Sequence, residues 1–335
     1  LPLRQEQVTL TGHAIEARLY AEDAHGDFLP QAGTLLAWRP PVGPGVRVDH
    51  GIAPGLAISP FYDPMMAKII AHGSTREEAR RRLIAALEDT VALGIDTNRH
   101  FLIDCLSHPA FAAGETSTAF IERHFPPAAR ARPVPDGRMI ALAAAMIDER
   151  ERLRASEMLS HWRSSGFAAS PLRLKSGDGI SALEIVRLDA SRYRVGHAGD
   201  DREVDILRLD GDTVRFLGDG IEESAQFVWE DDILHLSVGG VTASFEDVQL
   251  AGRAAASGAA AGSALAPMTG TISAVRVKAG DAVRKGQCLV ILEAMKMEHE
   301  ILAPRDGTVA AVLVAQGEQV ATRKLLVELV PQAAE

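Results

Sequence analysis

The sequence predicts a multidomain α+β protein with three folded domains and one flexible linker. Its 335 residues exceed the roughly 250–300 that a single hydrophobic core supports. Two segments interrupt the folded pattern: Pro126–Pro135 cannot continue a helix, and the Ala/Gly/Ser-rich Ala251–Leu265 buries little apolar surface. A 37-residue internal repeat occupies the end of the chain. We therefore expect an α+β domain at 1–133, a helix-plus-antiparallel β-barrel at 134–250, a linker at 251–264, and an all-β flattened barrel or sandwich with pseudo-twofold symmetry at 265–331.

Composition excludes several classes of protein. Hydrophobic residues at 47% and charged residues at 24% rule out a wholly disordered chain. No apolar run approaches the roughly 18 residues of a membrane-spanning helix, and residues 1–10 lack the pattern of a signal peptide. A net charge of −10 argues against a nucleic-acid partner and an anionic membrane surface. The two cysteines, Cys105 and Cys288, and the eleven histidines show no disulfide or metal-binding spacing, so we expect a reducing compartment and no metal site.

The first domain shows one strand pattern and three helix patterns. Residues His13–Tyr20 alternate apolar and polar side chains, which is typical of a half-buried strand. Ser74 and Glu77 have the spacing of a capping box, and Gly94 is a C-terminal signal, so we expect a helix over Ser74–Leu93. Its apolar stripe comprises Leu83, Leu87 and Val91. Shorter helices are expected over Asn98–Ser107 and Thr118–His124.

The middle domain begins with an Ala-rich helix and continues with short strands. We expect the helix over Arg138–Ser160, with one packing face formed by Leu142, Ala145, Met146 and Leu153. Turn signals such as Asp210-Gly211-Asp212 and Gly239-Gly240 separate the strands. The predicted strands are Leu172–Lys175, Ala182–Leu188, Arg192–Val195, Glu203–Leu209, Thr213–Leu217, Glu222–Trp229, Ile233–Val238 and Val241–Phe245. This pattern predicts a barrel wrapped on or beside the helix.

The linker is predicted from Ala251–Leu265, AGRAAASGAAAGSAL. An Ala-rich helix is the alternative, but Gly252, Gly258 and Gly262 each oppose it by about 1 kcal/mol.

The last domain contains two copies of one motif. Shifting Ala266–Leu292 by 37 residues gives twelve identities in 27 positions, where average composition would give about two. Each copy is too short to bury its own apolar face, so the two should close on each other around a pseudo-twofold axis. Gly280-Asp281 and Gly317-Glu318 are the matched turns.

The connector between the copies, Glu293–Leu302, has no counterpart in the repeat. In a twofold sandwich it forms a hairpin with Met295-Lys296-Met297 at its tip. We expect Lys296 to project into solvent, where a modifying enzyme can reach it. An exposed amine of this kind needs an activated acyl donor. The alternative is that Lys296 is an ordinary surface lysine.

The last domain resembles biotin carboxyl carrier domains. Glu293-Ala294-Met295-Lys296-Met297 is similar to their biotin-attachment motif, and Ala266-Pro267-Met268 and Ala303-Pro304 are similar to the openings of their two halves. The resemblance implies that a biotin–protein ligase links biotin to Lys296 through an amide, with Met295 and Met297 as flanking residues. Lipoyl domains share the fold but usually carry Asp-Lys-Ala at the tip, so the flanking methionines favour biotin.

The first domain resembles the C-terminal domain of biotin carboxylases. The similar motifs are Gly12–Arg18, Ala21–Asp23, Phe28–Pro30, Gly45–Asp49 and Phe61–Lys68. In that family, the arginine matching Arg47 lies near bicarbonate and the biotin ureido oxygen, where it would stabilise developing negative charge. Without the resemblance, Arg47 would be taken for a surface arginine.

These resemblances together imply an acyl-CoA carboxylase alpha subunit of the methylcrotonyl-, geranyl- or propionyl-CoA type. The middle domain then resembles the part that docks onto the carboxyltransferase beta subunit in a hetero-oligomer; the alternative is a spacer without a partner. The expected activity is that of a ligase: ATP- and bicarbonate-dependent carboxylation of biotin on Lys296, then delivery of the carboxyl group to an acyl-CoA at the beta subunit.

The sequence before residue 250 shows no Gly-rich phosphate loop. We therefore expect this chain to be the C-terminal part of a longer subunit that binds ATP and Mg²⁺, and to be inactive as a carboxylase by itself. Two alternatives remain, an acetyl-CoA carboxylase subunit from bacteria and a carrier-only biotinyl or lipoyl module. The expected location is the bacterial cytoplasm, or the mitochondrial matrix in a eukaryote.

Overall fold

The computed structural model describes residues 4–154, 169–177, 179–248, 263–295 and 297–330. Most of the predicted linker, residues 251–262, lies outside the described residues, as do Lys296 and the side chain of Met297. Among the helices of the described part, none is long and apolar enough to cross a membrane.

The first domain is an α+β unit around a three-stranded antiparallel sheet. Its strands are β1 (His13–Tyr20), β2 (Glu22–Asp23), β3 (Leu29–Pro30), β4 (Gly33–Leu35), β5 (Ala37–Arg39), β6 (Val46–His50), β7 (Leu56–Ile58), β8 (Met65–Gly73) and β9 (Val91–Leu93). Its helices are α1 (Arg76–Asp89), α2 (Arg99–Ser107), α3 (Pro109–Ala112) and α4 (Phe120–His124). The central strand β8 pairs with β1 on one side and β6 on the other. The helices α1 and α2 cover one face of this sheet, where Ile69, Leu83 and Leu106 form the core.

The predicted strand His13–Tyr20 is confirmed residue for residue, and two of the predicted helices correspond to α2 and α4. The prediction for α1 is wrong at both ends. At the start, Thr75 caps the helix by accepting the Glu78 amide at 3.1 Å, one residue later than expected. Glu77 pairs instead with Arg80.

At its C-terminal end, α1 stops at Asp89, and Val91–Leu93 is a strand that pairs with β5. Thr90 has an extended backbone, and its hydroxyl donates to the Ala86 carbonyl at 2.7 Å. Val91 is therefore buried by strand pairing and not by a helical stripe. Gly94, with φ of 92°, ends the strand.

The middle domain is a closed eight-stranded antiparallel barrel around a helix. The barrel strands are β10 (Ser170–Ser176), β11 (Gly179–Arg187), β12 (Arg192–His197), β13 (Asp200–Asp210), β14 (Thr213–Gly218), β15 (Ile221–Glu230), β16 (Ile233–Val238) and β17 (Val241–Asp247). All eight predicted strands are confirmed, because alternating apolar residues and turn glycines mark each of them locally. The helix α5 (Gly137–Arg154) contributes to the same core as the inward-facing strand residues.

Nine consecutive residues of α5, Met139–Ile147, are buried. A helix buried all round in this way must be enclosed, so the sheet wraps the helix. The predicted packing residues Leu142, Ala145 and Met146 are confirmed. Leu153 is 67% exposed, and its assignment to the packing face is wrong because it lies beyond the enclosed turns. Residues 155–160 of the predicted helix lie outside the described residues.

The last domain is a sandwich of two four-stranded sheets. Its strands are β18 (Ala264–Leu265), β19 (Gly270–Val275), β20 (Ala282–Val283), β21 (Cys288–Ala294), β22 (Met297–Leu302), β23 (Gly307–Val312), β24 (Gln319–Val320) and β25 (Leu325–Val330). The sheet orders β18-β25-β23-β20 and β22-β21-β19-β24 exchange under the 37-residue shift. The predicted pseudo-twofold sandwich is thus confirmed.

Two glycines at matched positions allow the close approach of strands in this sandwich. A Cβ on Gly270 would lie 2.6 Å from the Glu293 carbonyl oxygen, and one on Gly307 would lie 2.6 Å from the Val330 carbonyl oxygen. A side chain at either position would push neighbouring backbone apart.

A buried arginine joins the first domain to the barrel. The Arg99 guanidinium donates to the Thr90 carbonyl at 2.9 Å, the Gly240 carbonyl at 2.7 Å and the Thr242 hydroxyl at 2.8 Å. A second link is exposed, where Arg39 donates to Asp212 at 2.8 Å. The bonds of Arg99 hold the tip of the β16–β17 hairpin against the C-terminal end of α1, and the bond of Arg39 joins β5 to the β13–β14 turn.

Candidate functional site

The connector between the two repeat copies is a regular hairpin. Strands β21 and β22 pair in register as far as Glu293 with Glu298 and Ala294 with Met297. Met295 has a left-handed backbone with φ of 48°, the conformation that reverses a chain in a tight turn. The repeat alone therefore located this hairpin correctly, even though the sequence lacks the usual Asn-Gly signal.

The turn of this hairpin lies against the first domain. The Met295 amide donates to the Pro60 carbonyl oxygen at 2.8 Å, and Met295 is only 5% exposed. Leu29 of the first domain packs on the core of the sandwich. Met295, which precedes Lys296, is thus covered where the turn meets the first domain. The position of Lys296 stays a prediction from the sequence.

Arg47 lies on the edge strand β6 with its side chain 74% exposed. Its Nε and Nη2 donate to the two carboxylate oxygens of Asp49, each at 2.9 Å. This hydrogen-bonded pair raises the pKa of Arg47 and lowers the pKa of Asp49, with a further contribution to Asp49 from Lys68. A guanidinium held through two bonds has a fixed direction, and its remaining N–H groups stay available to an anionic ligand.

Arg47 belongs to a charged face of the three-stranded sheet. Glu16 on β1 and Arg47 on β6 both pair with Ile70 on the central strand β8. In the next row on the same face, Arg18 and Asp49 lie on either side of Lys68. The charged sheet face is defined by these five charged residues, Glu16, Arg18, Arg47, Asp49 and Lys68.

Within the charged sheet face, only Arg47 could be identified from the sequence as a candidate site residue. The polar positions of β1 alternate with buried ones, which is a signal for one exposed face. The pairing of β1 and β6 with β8 decides which charges become neighbours, and no local pattern gives that register. Arg47 pairs with Ile70 of β8, which is five residues from Met65. At about 3.4 Å per residue, this pair lies about 17 Å from the end of β8 that is nearest Pro60.

The hairpin gives the predicted attachment motif a folded support. No three His, Cys, Asp or Glu side chains in the described part of the chain are arranged to hold a metal ion. The hairpin carrying the predicted attachment motif is regularly paired and rests on a buried core that includes Leu292 and Ala294. Such a support would hold a covalently attached biotin at a defined end of the sandwich.

Two family models match this chain. Residues 16–123 match the biotin carboxylase C-terminal domain, and residues 264–329 match the domain described as biotin-requiring enzyme. The first match contains all five residues of the charged sheet face. The second contains both repeat copies and the hairpin.

Similar proteins align with most of the chain. The mitochondrial methylcrotonoyl-CoA carboxylase subunit alpha of Mus musculus is 32% identical over 324 residues, covering 90% of this chain and 44% of the relative. The mitochondrial propionyl-CoA carboxylase alpha chain of Mus musculus is 30% identical over 339 residues, covering 90% and 44%. A crystal structure of the biotin carboxylase subunit of pyruvate carboxylase is 36% identical, covering 40% of this chain and 29% of that one, with a TM-score of 0.38. The chain spans somewhat less than half the length of these curated relatives.

Proposed function

Because the chain belongs to the family of biotin-dependent carboxylase alpha subunits, we propose that it carries biotin on Lys296 and forms part of an ATP- and bicarbonate-dependent biotin carboxylase. The observation that carries this proposal is the paired β21–β22 hairpin, which bears the attachment motif and whose turn contacts the biotin carboxylase C-terminal domain through Met295 and Pro60. Biotin, when bound, supplies a ureido nitrogen that accepts a carboxyl group.

The charged sheet face supplies the anion-binding group of the first domain. Asp49 holds the Arg47 guanidinium through two bonds, so Arg47 would stabilise negative charge without rearranging first. Lys68, in the adjacent row, adds positive charge to the same face. We assign to Arg47 the binding of bicarbonate or of the developing oxyanion, and to Asp49 the positioning of Arg47.

The barrel is assigned to binding of a carboxyltransferase beta subunit. The relatives are named as alpha subunits, and the described side chains of α5 and of the barrel strands form one buried core. Its outer surface carries exposed apolar side chains, including Ile180, Leu207 and Ile221. The acyl-CoA would then bind to the partner, and in this proposal it belongs to the methylcrotonoyl or propionyl class.

The test of the proposal is modification of Lys296. Intact-mass measurement after co-expression with a biotin–protein ligase should show one biotin adduct on the unaltered chain and none on Lys296→Arg. Lys278→Arg, Lys285→Arg and Lys324→Arg are the matched controls and should each keep the adduct. An adduct that persists in Lys296→Arg, or a lipoyl mass in place of biotin, contradicts the proposal.

A further inference from the structure

The first domain carries a strained loop beside the carrier sandwich. Asp27 and Phe28 are consecutive non-glycine residues in the left-handed region, with φ of 59° and 58°. Each such residue costs roughly 1–2 kcal/mol, because its Cβ crowds the following carbonyl. Strain of this kind persists only where the surroundings impose it, and it concentrates at functional sites.

Arg130 imposes the conformation of this loop. Its side chain is only 5% exposed, and it donates to the Ala24 carbonyl at 3.3 Å and to the Asp27 carboxylate at 3.2 Å. Its guanidinium also lies 4.6 Å from the centroid of the Phe28 ring, a cation–π distance. Phe28 packs edge-on against Phe101 of α2 with the ring centroids 5.1 Å apart. One buried arginine from the end of the domain thus holds both strained residues.

The strained loop presents Leu29 to the sandwich. Leu29 packs against the sandwich core, and the Pro60 carbonyl oxygen accepts a hydrogen bond from the Met295 amide. Burial lowers the pKa of His299 on β22. The exposed Asp27 carboxylate is close enough to that histidine to counter part of the shift. The backbone hydrogen bond and the charge both fall on the hairpin that bears Lys296, and the apolar contact falls on the core of the same sandwich.

We propose that Asp27–Leu29 and Pro60 form a docking seat for the carrier sandwich of this same chain, and that Arg130 is the positioning residue that holds the seat. The inference deepens the proposed function and rests on it. Because the seat contacts the sandwich and not biotin, it makes biotin on the sandwich a better substrate than free biotin. Neither Leu29 nor Arg130 takes part in the chemical step.

The first experiment measures docking in the full chain. Hydrogen exchange followed by mass spectrometry reports on the peptide containing Met295, whose amide is bonded to Pro60. Leu29→Ser and Arg130→Met should each speed exchange of this amide by roughly tenfold, since the seat loses a buried apolar contact or its support. Leu313→Ser, an exposed leucine of the sandwich, is the control and should leave it unchanged. Unchanged exchange in Leu29→Ser would overturn the seat.

The second experiment separates docking from chemistry. In a subunit that includes the ATP-binding region, Leu29→Ser should lower carboxylation of biotin on Lys296 by roughly tenfold and leave kcat and KM for free biotin unchanged. Arg130→Met should show the same split. An equal loss with both substrates would assign these residues a merely structural role and overturn the proposal. Absence of biotin on Lys296 in the unaltered chain would instead refute the proposed function, and the exchange experiment would still report on docking.

Discussion

At the scale of single residues, the pair formed by Arg47 and Asp49 links sequence spacing to chemistry. Residues two apart on a strand lie on the same face, so the carboxylate reaches both Nε and Nη2 of the guanidinium. The Arg47 side chain thus loses its conformational entropy before any anion binds. This is the arrangement expected of a group that stabilises charge in a transition state.

Arg47→Ala should slow biotin carboxylation by roughly 10²–10³-fold in a subunit that includes the ATP-binding region. Its effect on the free energy of unfolding should stay within about 0.5 kcal/mol, because the side chain is mostly exposed. Steady-state ATP hydrolysis dependent on biotin measures the first quantity, and urea denaturation measures the second.

Arg81→Ala is the matched control for Arg47. Arg81 is similarly exposed and also pairs with a carboxylate, that of Glu77 at 3.5 Å, but it lies on helix α1. Its replacement should leave the carboxylation rate unchanged. A wild-type rate in Arg47→Ala would refute the role assigned to the charged sheet face.

We expect His235 to make the stability of the barrel sensitive to acid. Burial lowers its pKa below the usual value of about 6.5, although Glu230 lies 3.5 Å from Nε2 and acts in the opposite direction. The neutral imidazole is therefore favoured in the folded barrel. Below about pH 6.5 the unfolded chain binds a proton that the folded barrel does not, so the free energy of unfolding falls with falling pH until the folded-state pKa is passed.

His235→Gln should flatten this pH dependence. Urea denaturation at pH 7.5 and 5.5 should show a smaller loss of stability on acidification in the variant than in the unaltered protein. Parallel losses in the two proteins would show that other groups, such as His100, dominate the acid sensitivity.

At the scale of elements, α5 shows how enclosure changes the contribution of an apolar side chain to the free energy of unfolding. Leu142 is fully buried inside the barrel, whereas Leu153 projects beyond it, three turns along the same helix. Both residues satisfy the helical period. Only the extent of the surrounding sheet distinguishes them.

Leu142→Ala should lower the free energy of unfolding of the barrel by about 2–5 kcal/mol, because it leaves a cavity among residues that cannot collapse into it. Leu153→Ala in the same helix should change it by less than about 0.5 kcal/mol. Chemical denaturation of the two variants side by side measures the difference. Equal effects would mean that the barrel does not enclose the helix in solution.

At the scale of the whole molecule, Arg99 couples the first domain to the barrel. Burial lowers its pKa to about 10, so it still carries its charge at neutral pH. That charge is compensated mainly by carbonyl and hydroxyl oxygens from both domains. Separating the domains would remove the acceptors of the barrel from the Arg99 guanidinium. The two domains should therefore unfold together.

Arg99→Met should resolve the unfolding of the first domain and the barrel into two calorimetric transitions. It should also lower stability by about 2–4 kcal/mol, as expected for losing hydrogen bonds to a buried charged group. Thr242→Val, which alters only the barrel side, should show a smaller effect in the same direction. Arg76→Met is the control, because Arg76 donates only within the first domain, to the carbonyls of Phe111 and Ala112. A single transition in Arg99→Met would refute the coupling.

Features whose signals are local or repeated could be predicted from the sequence. The eight barrel strands follow from alternation and turn glycines, and the sandwich with its hairpin follows from the 37-residue repeat. The attachment motif around Lys296 is contiguous, so its resemblance to carrier domains is visible in the sequence. These features need no knowledge of which distant residues meet.

Features that depend on contacts between distant residues became visible only in the folded protein. Pairing with β5 turned Val91–Leu93 from helix into strand, and the barrel wall separated Leu142 from Leu153. The register of β1, β8 and β6 assembled the charged sheet face, and contact between domains buried Met295 and Arg99. Burial and electrostatic environment are set by residues far apart in the chain, and no local pattern encodes them.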